Sequence, residues 1–230
     1  MLDYLKWNEQ TISDFTPQNI TALYNDGYLF TRLGKGIMHQ TRSLRIDLAK
    51  FELSSENRRI LRKTNSLLIA HCSLPMTNYN WQIGKMAKDF YDIKFGKGIF
   101  SANKIKELLT DERRSNFNTL IQYDTKNSEL RTPNSTIGYA ICYKKDDILH
   151  YCYPFYQLAI NNEQLANIGL GMMLRAILYA KEQGLRYIYI GSAQRPTDTY
   201  KLQFEGLEWF DGKEWKTSGG ALKKLLAAQI

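Results

Sequence analysis

The chain has 230 residues, of which 43% are apolar and 23% charged, the proportions of an ordinary globular protein. It has no apolar run of the ~18 residues that a membrane span needs, and its first residues lack the pattern of a secretory signal, so we expect a cytoplasmic protein with no membrane partner. The formal net charge of +8 favours an anionic partner, and RNA is the most abundant candidate in the cytoplasm. Solubility alone is the other explanation of this charge.

Metal and redox chemistry have little support in the composition. The three cysteines show no CxxC spacing and the three histidines are scattered, so we expect neither a zinc nor an iron–sulfur site, and no cofactor. Cys142 and Cys152 lie in apolar, strand-like segments that are typical of buried free thiols. His150 lies in the second of these segments and is interpreted as a core residue rather than a base.

The first half of the sequence reads as strands followed by helices. Residues 28–33 and 43–48 alternate apolar and polar side chains, as half-buried strands do, and Gly34 and Gly36 mark a turn between them. This pattern predicts a hairpin of the two strands. A serine at 54 or 55 then begins a helix through Lys63, and a second helix is predicted over 83–90.

The second half begins near residue 98. Its patterns predict, in order, a helix from residue 103, strands over 136–143 and 148–153, a helix over 167–180, a strand over 187–191 and a basic amphipathic tail over 221–230. Asp211-Gly212, at the centre of residues 208–215, indicates a tight hairpin. We therefore expect two domains, a smaller N-terminal α/β region over residues 1–97 and a larger domain over residues 98–230.

The helix over 167–180 has an unusual start, because Gly169 and Gly171 lie in its first turns. The first N–H groups of a helix have no partner within it, and the helix dipole adds positive potential there, so this place suits a phosphate or another anion. Strand–strand–helix–strand in this order, with an antiparallel hairpin at the end, predicts an α/β or α+β fold built on a mixed sheet.

Basic residues cluster on the helix that ends at Lys63. Arg58 and Arg62 share one helical face with Arg59 beside them, and Arg45 lies on the preceding strand. Guanidinium groups match the geometry of phosphates, so these four arginines are candidate contacts to an RNA backbone. A solvated helix face is the other interpretation that charge alone allows.

Polar and aromatic residues follow two predicted strands. The end of a strand is where α/β sheets place ligands. The candidate site residues at the end of the strand over 187–191 and in the segment after it are Gly191, Ser192, Gln194, Arg195, Tyr200 and Lys201. Tyr153 and Tyr156 end the strand before the glycine-opened helix, where they either stack on a ligand or pack into the core.

Together these segments resemble the aminoacyl-tRNA–protein transferases, the family of arginyl-tRNA–protein transferases and their leucyl-transferring bacterial relatives. The strand that ends at Phe51 and the serine-led helix with paired arginines are similar to one family element. Further elements of the family are similar to the tyrosines of 153–156, the helix opening at Gly169, the strand with Gly191 and the later Tyr200-Lys201. The family's cysteine cluster is absent from residues 36–41, and Gln157 stands where the family has an aspartate.

The resemblance implies a GNAT-like (acetyltransferase-type) fold in the second half, and transfer of an aminoacyl group from tRNA to the amino terminus of a protein or peptide. Aminoacyl-tRNA and the acceptor terminus are then the partners. Tyr200 and Lys201 would line the reaction centre, Arg195 would pair with an acidic acceptor residue, and the loop and tyrosine residues named above would bind substrate. Backbone N–H groups near Gly169 and Gly171, or at the strand end, would hold the tRNA terminus.

Two alternatives remain open. An acetyl-CoA-dependent GNAT N-acetyltransferase would use the same helix start for a pyrophosphate, but Ala166 stands where the usual acetyl-CoA loop begins with Gln or Arg. A non-catalytic RNA-binding protein would account for the positive charge alone.

Overall fold

The computed structural model describes residues 4–125, 136–158 and 167–228. In chain order, the strands of these residues are β1 (Asn8–Thr11), β2 (Tyr28–Phe30), β3 (Ile37–Gln40), β4 (Ser43–Asp47), β5 (Leu67–Ser73), β6 (Thr119–Thr125), β7 (Thr136–Lys145), β8 (Ile148–Tyr156), β9 (Tyr187–Ser192), β10 (Leu207–Phe210) and β11 (Trp215–Lys216). The α-helices are α1 (Pro17–Asn25), α2 (Ser55–Lys63), α3 (Trp81–Phe95), α4 (Ala102–Thr110), α5 (Ile168–Glu182) and α6 (Gly219–Ala227), and a 3₁₀ helix covers Pro196–Gln203.

Contacts divide the chain into two compact units. Unit 1 consists of residues 1–54, 145–150 and 180–230, and unit 2 consists of residues 55–144 and 151–179. Strand β8 and helix α5 each contribute residues to both units. The boundary at 97/98 predicted from the sequence falls inside unit 2. The division into residues 1–97 and 98–230 stays a prediction.

The first sheet of unit 1 is antiparallel, with the order β1-β3-β2. Strands β2 and β3 form a hairpin in which Phe30 lies opposite Met38, and Thr31 donates a backbone hydrogen bond to Ile37. The hairpin predicted between residues 28–33 and 43–48 is therefore wrong in its partner strand. The reason is that alternation identifies a strand but not its partner, and β3 directly follows the glycine turn.

The second sheet of unit 1 places β4 between β9 and β10, antiparallel to both. β4 thus has a partner strand on each edge, and its Leu44 and Ile46 side chains are fully buried. Strands β10 and β11 form the hairpin predicted around Asp211-Gly212, with Phe210 opposite Trp215. The first residues of β8 pair with β9 in parallel, Leu149 opposite Ile188, so the sheet is mixed, and the predicted mixed α/β class is confirmed.

Unit 2 contains the antiparallel strands β7, β6 and β5 in that order, next to the remainder of β8. Helices α2, α3, α4 and α5 confirm the helices predicted from the sequence. Strands β5 and β6 were not predicted; in β5 only Leu67 is buried, so the strand shows no clear alternation. Tyr123 and Phe155 are fully buried in the core of this unit, and the Tyr123 hydroxyl donates to the Met172 carbonyl at 2.9 Å.

Among the described residues, no helix has both the length and the apolar character needed to cross a membrane. The same residues hold no group of three or more His, Cys, Asp or Glu side chains that would suit a metal ion. Cys142 is buried and Cys152 half-buried, neither forms a disulfide within the described residues, and burial raises the pKa of both thiols.

Candidate functional site

The candidate site of unit 1 lies where β9 ends. Gly191 has a φ of +81°, a backbone conformation that favours glycine and turns the chain out of the strand. A Cβ atom at this position would lie 3.7 Å from the Lys201 ammonium nitrogen. The Lys201 ammonium group therefore lies beside the glycine, at the kind of strand end where α/β sheets place ligands.

Lys201 is the buried cation of this site. Its side chain comes from the 3₁₀ helix, is 9% exposed, and donates from Nζ to the Ser192 carbonyl oxygen at 2.8 Å. Burial lowers the pKa of Lys201, the carboxylate of Asp198 acts in the opposite direction, and the charge of Arg195 lowers it further. A lysine in such surroundings is able to release its proton and accept another one.

Asp198 holds the loop that carries these residues. Its Oδ2 atom accepts hydrogen bonds from the backbone N–H groups of Gln194, at 2.8 Å, and Arg195, at 3.0 Å. Pro196 occupies the first turn of the 3₁₀ helix, where its missing N–H group has no cost. Asp198 is the third residue of the 3₁₀ helix whose N-cap is Arg195, and its carboxylate closes the start of that helix.

The Gln194 side chain connects the loop to two distant segments. Its Nε2 donates to the Thr41 hydroxyl at 2.7 Å and the Ser192 hydroxyl at 3.0 Å, and its Oε1 accepts from the Leu5 backbone N–H at 2.9 Å. The amide is thus largely occupied by the protein itself, which indicates a positioning role. Sequence reasoning missed Thr41 and Leu5, because no local pattern connects them with residue 194.

A buried polar pair lies near the Lys201 charge. His150 is 3% exposed, and its Nδ1 lies 3.0 Å from the hydroxyl of the fully buried Tyr24. Burial lowers the pKa of His150 to about 3, with a contribution from the positive charge of Lys201. His150 is therefore neutral at physiological pH, and its interpretation as a core residue is confirmed. Tyr24 was not recognised from the sequence.

Tyr200 and Arg195 border this site at its exposed side. Tyr200 is 46% exposed, and its ring centroid lies 5.8 Å from Lys201 Nζ. Unit 1 therefore brings together six of the predicted residues: Gly191, Ser192, Gln194, Arg195, Tyr200 and Lys201. Their binding and catalytic roles stay predictions.

Arg45 lies in unit 1 but is held by its own set of partners. Its Nε donates to Glu208 at 2.8 Å in an ion pair whose members are 7% and 8% exposed. Its guanidinium carbon lies 4.0 Å from the ring centroid of Tyr187 and 3.9 Å from that of Trp215. Most of this group is used to hold strands β4, β9 and β10 together, and its predicted contact with tRNA stays a prediction.

The glycine-opened helix lies largely in unit 2, and its two glycines have different surroundings. A Cβ atom at Gly169 would lie 3.2 Å from the Tyr156 ring, whereas one at Gly171 would lie 2.6 Å from Thr64 Cγ2. The Gly171 N–H donates to the Asn167 carbonyl at 2.9 Å, so it is already used within the helix. Gly171 is thereby explained by packing, and Gly169 is the better candidate for an anion. Ala166 lies outside the described residues.

The two predicted tyrosines at the end of β8 both pack against aromatic rings of unit 2. Tyr153 lies edge-on to Phe100 and Phe117, with centroid distances of 5.4 and 5.3 Å. Tyr156 packs on Phe90 at 4.7 Å, and burial raises the pKa of its phenol. Tyr153 therefore contributes to the core, while Tyr156 also borders the helix start at Gly169.

The basic face of α2 is a separate feature of unit 2. Arg58 and Arg62 line an open surface depression of about 480 Å³ together with Ser55 and Leu61. Arg59 is paired with Glu56, its Nε donating to the carboxylate at 2.7 Å. The structure therefore places Arg58 and Arg62 side by side, as predicted, whereas Arg59 forms an ion pair with a neighbouring carboxylate.

Comparison with curated proteins reveals similar sequences. The aspartate/glutamate leucyltransferase of Dinoroseobacter shibae is 26% identical over 184 residues, which cover 77% of this chain and 62% of that protein. That of Ruegeria pomeroyi is 26% identical over 176 residues, covering 76% and 61%, and that of Saccharophagus degradans is 27% identical over 177 residues, covering 76% and 70%. The resemblance to aminoacyl-tRNA–protein transferases is thus confirmed, and this chain spans about three fifths of the length of the first two relatives.

No protein-family model matches the chain. Among solved structures, L-PGS from Bacillus licheniformis is similar with a TM-score of 0.45 and 10% identity, over 91% of this chain and 70% of that one. A GCN5-related glucosamine N-acetyltransferase region of a fungal multi-domain β-N-acetylglucosaminidase gives a TM-score of 0.47 and 11% identity, over 90% of this chain and 23% of that one.

Proposed function

We propose that this chain transfers an aminoacyl group from an aminoacyl-tRNA to the N-terminal amine of a protein or peptide, in the cytoplasm and on a GNAT-like fold. The names of the sequence relatives support a leucyl donor and an acceptor with N-terminal aspartate or glutamate. The product then carries a new N-terminal residue, which makes it a candidate N-degron. The observation that carries the proposal is the buried Lys201, with its lowered pKa, at the end of β9.

The chemistry asks little of the protein, because the ester of an aminoacyl-tRNA is already activated. The acceptor amine attacks the ester carbonyl, a C–N bond forms, and the C–O bond to the terminal ribose breaks. Neutral Lys201 takes the proton that the attacking nitrogen loses and delivers it to the departing ribose oxygen. The net reaction therefore needs no other reactant.

The surroundings of Lys201 support this role. An ammonium group has three donors, and within the described chain the Nζ atom has one hydrogen-bond acceptor, the Ser192 carbonyl. A buried and incompletely hydrogen-bonded ammonium is unfavourable, so the neutral amine is populated at lower pH than in an exposed lysine. Asp198 then stabilises the cation that forms during the reaction.

The tRNA contacts belong to the same proposal. Arg58 and Arg62, which line one open depression, contact the phosphate backbone as a pair, and Arg59 and Arg45 are further candidates. The N–H groups at the start of α5 near Gly169, beside Tyr156, bind the terminal part of the tRNA. Arg195 pairs with the acidic acceptor side chain.

The deciding experiment is incubation with a mixed pool of charged tRNAs and a peptide library, followed by mass spectrometry. We expect the mass increment of leucine on peptides that begin with aspartate or glutamate. Lys201→Met and Lys201→Arg should lower kcat by roughly 10²–10⁴, because neither side chain accepts a proton at neutral pH. Lys223→Met, at an exposed position of α6, is the matched control.

The pH dependence separates a proton acceptor from a merely structural lysine. Since the pKa of Lys201 is lowered, kcat should rise with pH through that pKa and then level off, and this rise should be missing in Lys201→Arg. Full activity of Lys201→Met, or micromolar binding of acetyl-CoA in calorimetry without any aminoacyl product, would contradict the proposed function.

A further inference from the structure

Unit 1 contains a cavity at the end of β9 opposite to the proposed reaction centre. It has a volume of about 250 Å³ and is lined by Thr21, Asn25, Arg45, Asp147, Ile148, Arg186, Tyr187 and Trp215. Tyr187 begins β9 and Ser192 ends it, which separates the cavity from Lys201 by about 16 Å along the strand. The cavity is therefore distinct from the proposed reaction centre.

Arg45 is fixed rigidly in one wall of this cavity. The rings of Tyr187 and Trp215 lie on it, Glu208 accepts from its Nε, and Asn25 Oδ1 accepts from its Nη1 at 3.1 Å. Within the described residues its Nη2 atom has no hydrogen-bond partner, and it is not enclosed by protein. The two N–H groups of Nη2 are thus preorganised donors, so the Arg45 side chain itself loses little further freedom when a ligand binds.

Arg186 and Asp147 lie side by side on another wall. The Arg186 backbone N–H donates to the Asp147 carbonyl at 2.8 Å, and the Arg186 guanidinium lies 5.0 Å from the centroid of the Tyr187 ring. In residues 4–125, 136–158 and 167–228, neither the guanidinium nor the Asp147 carboxylate has a hydrogen bond or an ion pair with another side chain. The cavity thus presents open donors from two guanidinium groups and an open carboxylate acceptor.

We propose that this cavity binds one ribonucleotide unit. Its phosphate accepts from Arg186 and from Nη2 of Arg45, its ribose hydroxyls donate to Asp147, and its base lies along Trp215. A bare phosphate fits less well, because Asp147 would repel it unless the ligand also carries hydrogen-bond donors. A free amino acid would leave much of the volume empty and the aromatic wall uncovered.

The source of the nucleotide is either a free nucleotide or an RNA strand. If it is RNA, the inference rests on the proposed function, and the bound unit is an internal nucleotide of the tRNA end, because the cavity is too far along β9 to share the nucleotide that carries the ester. Binding of an uncharged ligand requires no chemistry, so it is measured independently of transfer.

The test is calorimetric titration of the full chain with AMP, with 2′,3′-dideoxy-AMP, with glutamate and with a short single-stranded oligoribonucleotide. We expect saturable binding of AMP that Arg186→Gln weakens about tenfold or more, as for loss of a charge-assisted hydrogen bond. The dideoxy ligand should bind the native protein more weakly than AMP, and Asp147→Asn should reduce that difference. Arg113→Gln, on an exposed arginine of unit 2, is the control.

The comparison of ligands identifies the source. Tighter binding of the oligoribonucleotide than of AMP supports RNA, and equal binding supports a free nucleotide. Glutamate binding as tightly as AMP, no saturable binding of either nucleotide ligand, or affinity unchanged in Arg186→Gln would overturn the inference. Because Arg186 is exposed and Asp147 half-exposed, the unfolding temperature of both variants should equal that of the native protein. Nucleotide binding without aminoacyl transfer would overturn the proposed function and leave this site standing.

Discussion

Burial disfavours the charged forms of two ionisable side chains in unit 1. Lys201 and His150 both have lowered pKa values, and in both the first cause is burial. Such burial costs stability, because the unfolded chain would carry these charges in water. Because perturbed pKa values cluster at functional sites, this cost is the argument at the residue scale for the proposal that Lys201 is the reacting group.

His150 gives a prediction for acid unfolding. Its pKa is about 3 in the folded protein and near 6.5 in the unfolded chain, so between these values only the unfolded state binds the proton. Stability should therefore fall as the pH decreases from about 6.5 towards 3, with a contribution from this residue of about 1.4 kcal/mol per pH unit.

Urea unfolding of the native protein and of His150→Gln at several pH values measures this contribution. The substitution removes the titrating group, so the slope of unfolding free energy against pH should become shallower by about one proton. Parallel slopes for the two proteins would show that His150 is already protonated in the folded state or does not titrate in this range.

At the scale of the element, the start of α5 contains one glycine that is required by packing and another that borders the proposed anion site. Gly171 meets the Thr64 side chain so closely that a Cβ atom has no space, whereas Gly169 is next to the Tyr156 ring. The two positions look alike in sequence. Only the approach of Thr64 distinguishes them, and it follows from the chain reversal between α2 and β5.

Gly171→Ala tests this assignment. Glycine to alanine normally stabilises a helix by about 1 kcal/mol, but here the added methyl group would lie 2.6 Å from Thr64 Cγ2 and 2.7 Å from Oγ1, so we expect a loss of about 1–3 kcal/mol. Chemical denaturation measures the change. Gly220→Ala in the first turn of α6 is the matched control. An added Cβ atom there has no atom from elsewhere in the structure within 4 Å, so the substitution should not lower the free energy of unfolding.

A double substitution completes the test of the helix. Thr64→Ala removes the two closest atoms, so in its background Gly171→Ala should cost much less than in the native protein. An equal cost in both backgrounds would mean that the glycine is needed for another reason.

At the scale of the whole molecule, positive charge is the strongest indication of an anionic partner. The formal net charge is +8, and two arginines of α2 lie next to each other on an open surface. Several other basic side chains are neutralised locally, among them Arg59 by Glu56 and Lys88 by Asp92. The usable positive charge is therefore concentrated on fewer residues than the composition suggests.

Charge reversal on α2 is the corresponding prediction. Arg58→Glu with Arg62→Glu should weaken tRNA binding and lower the slope of log K against log salt by up to about 2, because each lost phosphate contact removes about 0.9. Filter binding over a range of salt concentrations provides both values. The same reversal at Arg113 and Arg114, which are exposed and lie outside this surface, should change binding much less, and equal effects would indicate a general charge effect.

Local sequence patterns were sufficient for most helices and for several strands. The helix that begins at Ser55, the glycine-opened helix α5 and the Asp211-Gly212 hairpin each depend on neighbouring residues, so a short window contains the required information. The same patterns missed α1, β1, β3, β5 and β6, and they assigned β4 to the wrong partner. Strand pairing is a long-range choice, and alternation of side chains does not record it.

By itself the sequence determined that Gly191, Ser192 and Lys201 lie within one short stretch of the chain, around the end of a predicted strand. Only the tertiary structure decided that Lys201 is buried, that Gln194 is bonded to Thr41 and Leu5, 153 and 189 residues away, and that Arg45 is stacked between two rings. The physical reason is that burial and hydrogen-bond partners come from segments distant in sequence. Burial and hydrogen-bond partners together set the pKa of a side chain and determine which of its donors remain open to a ligand.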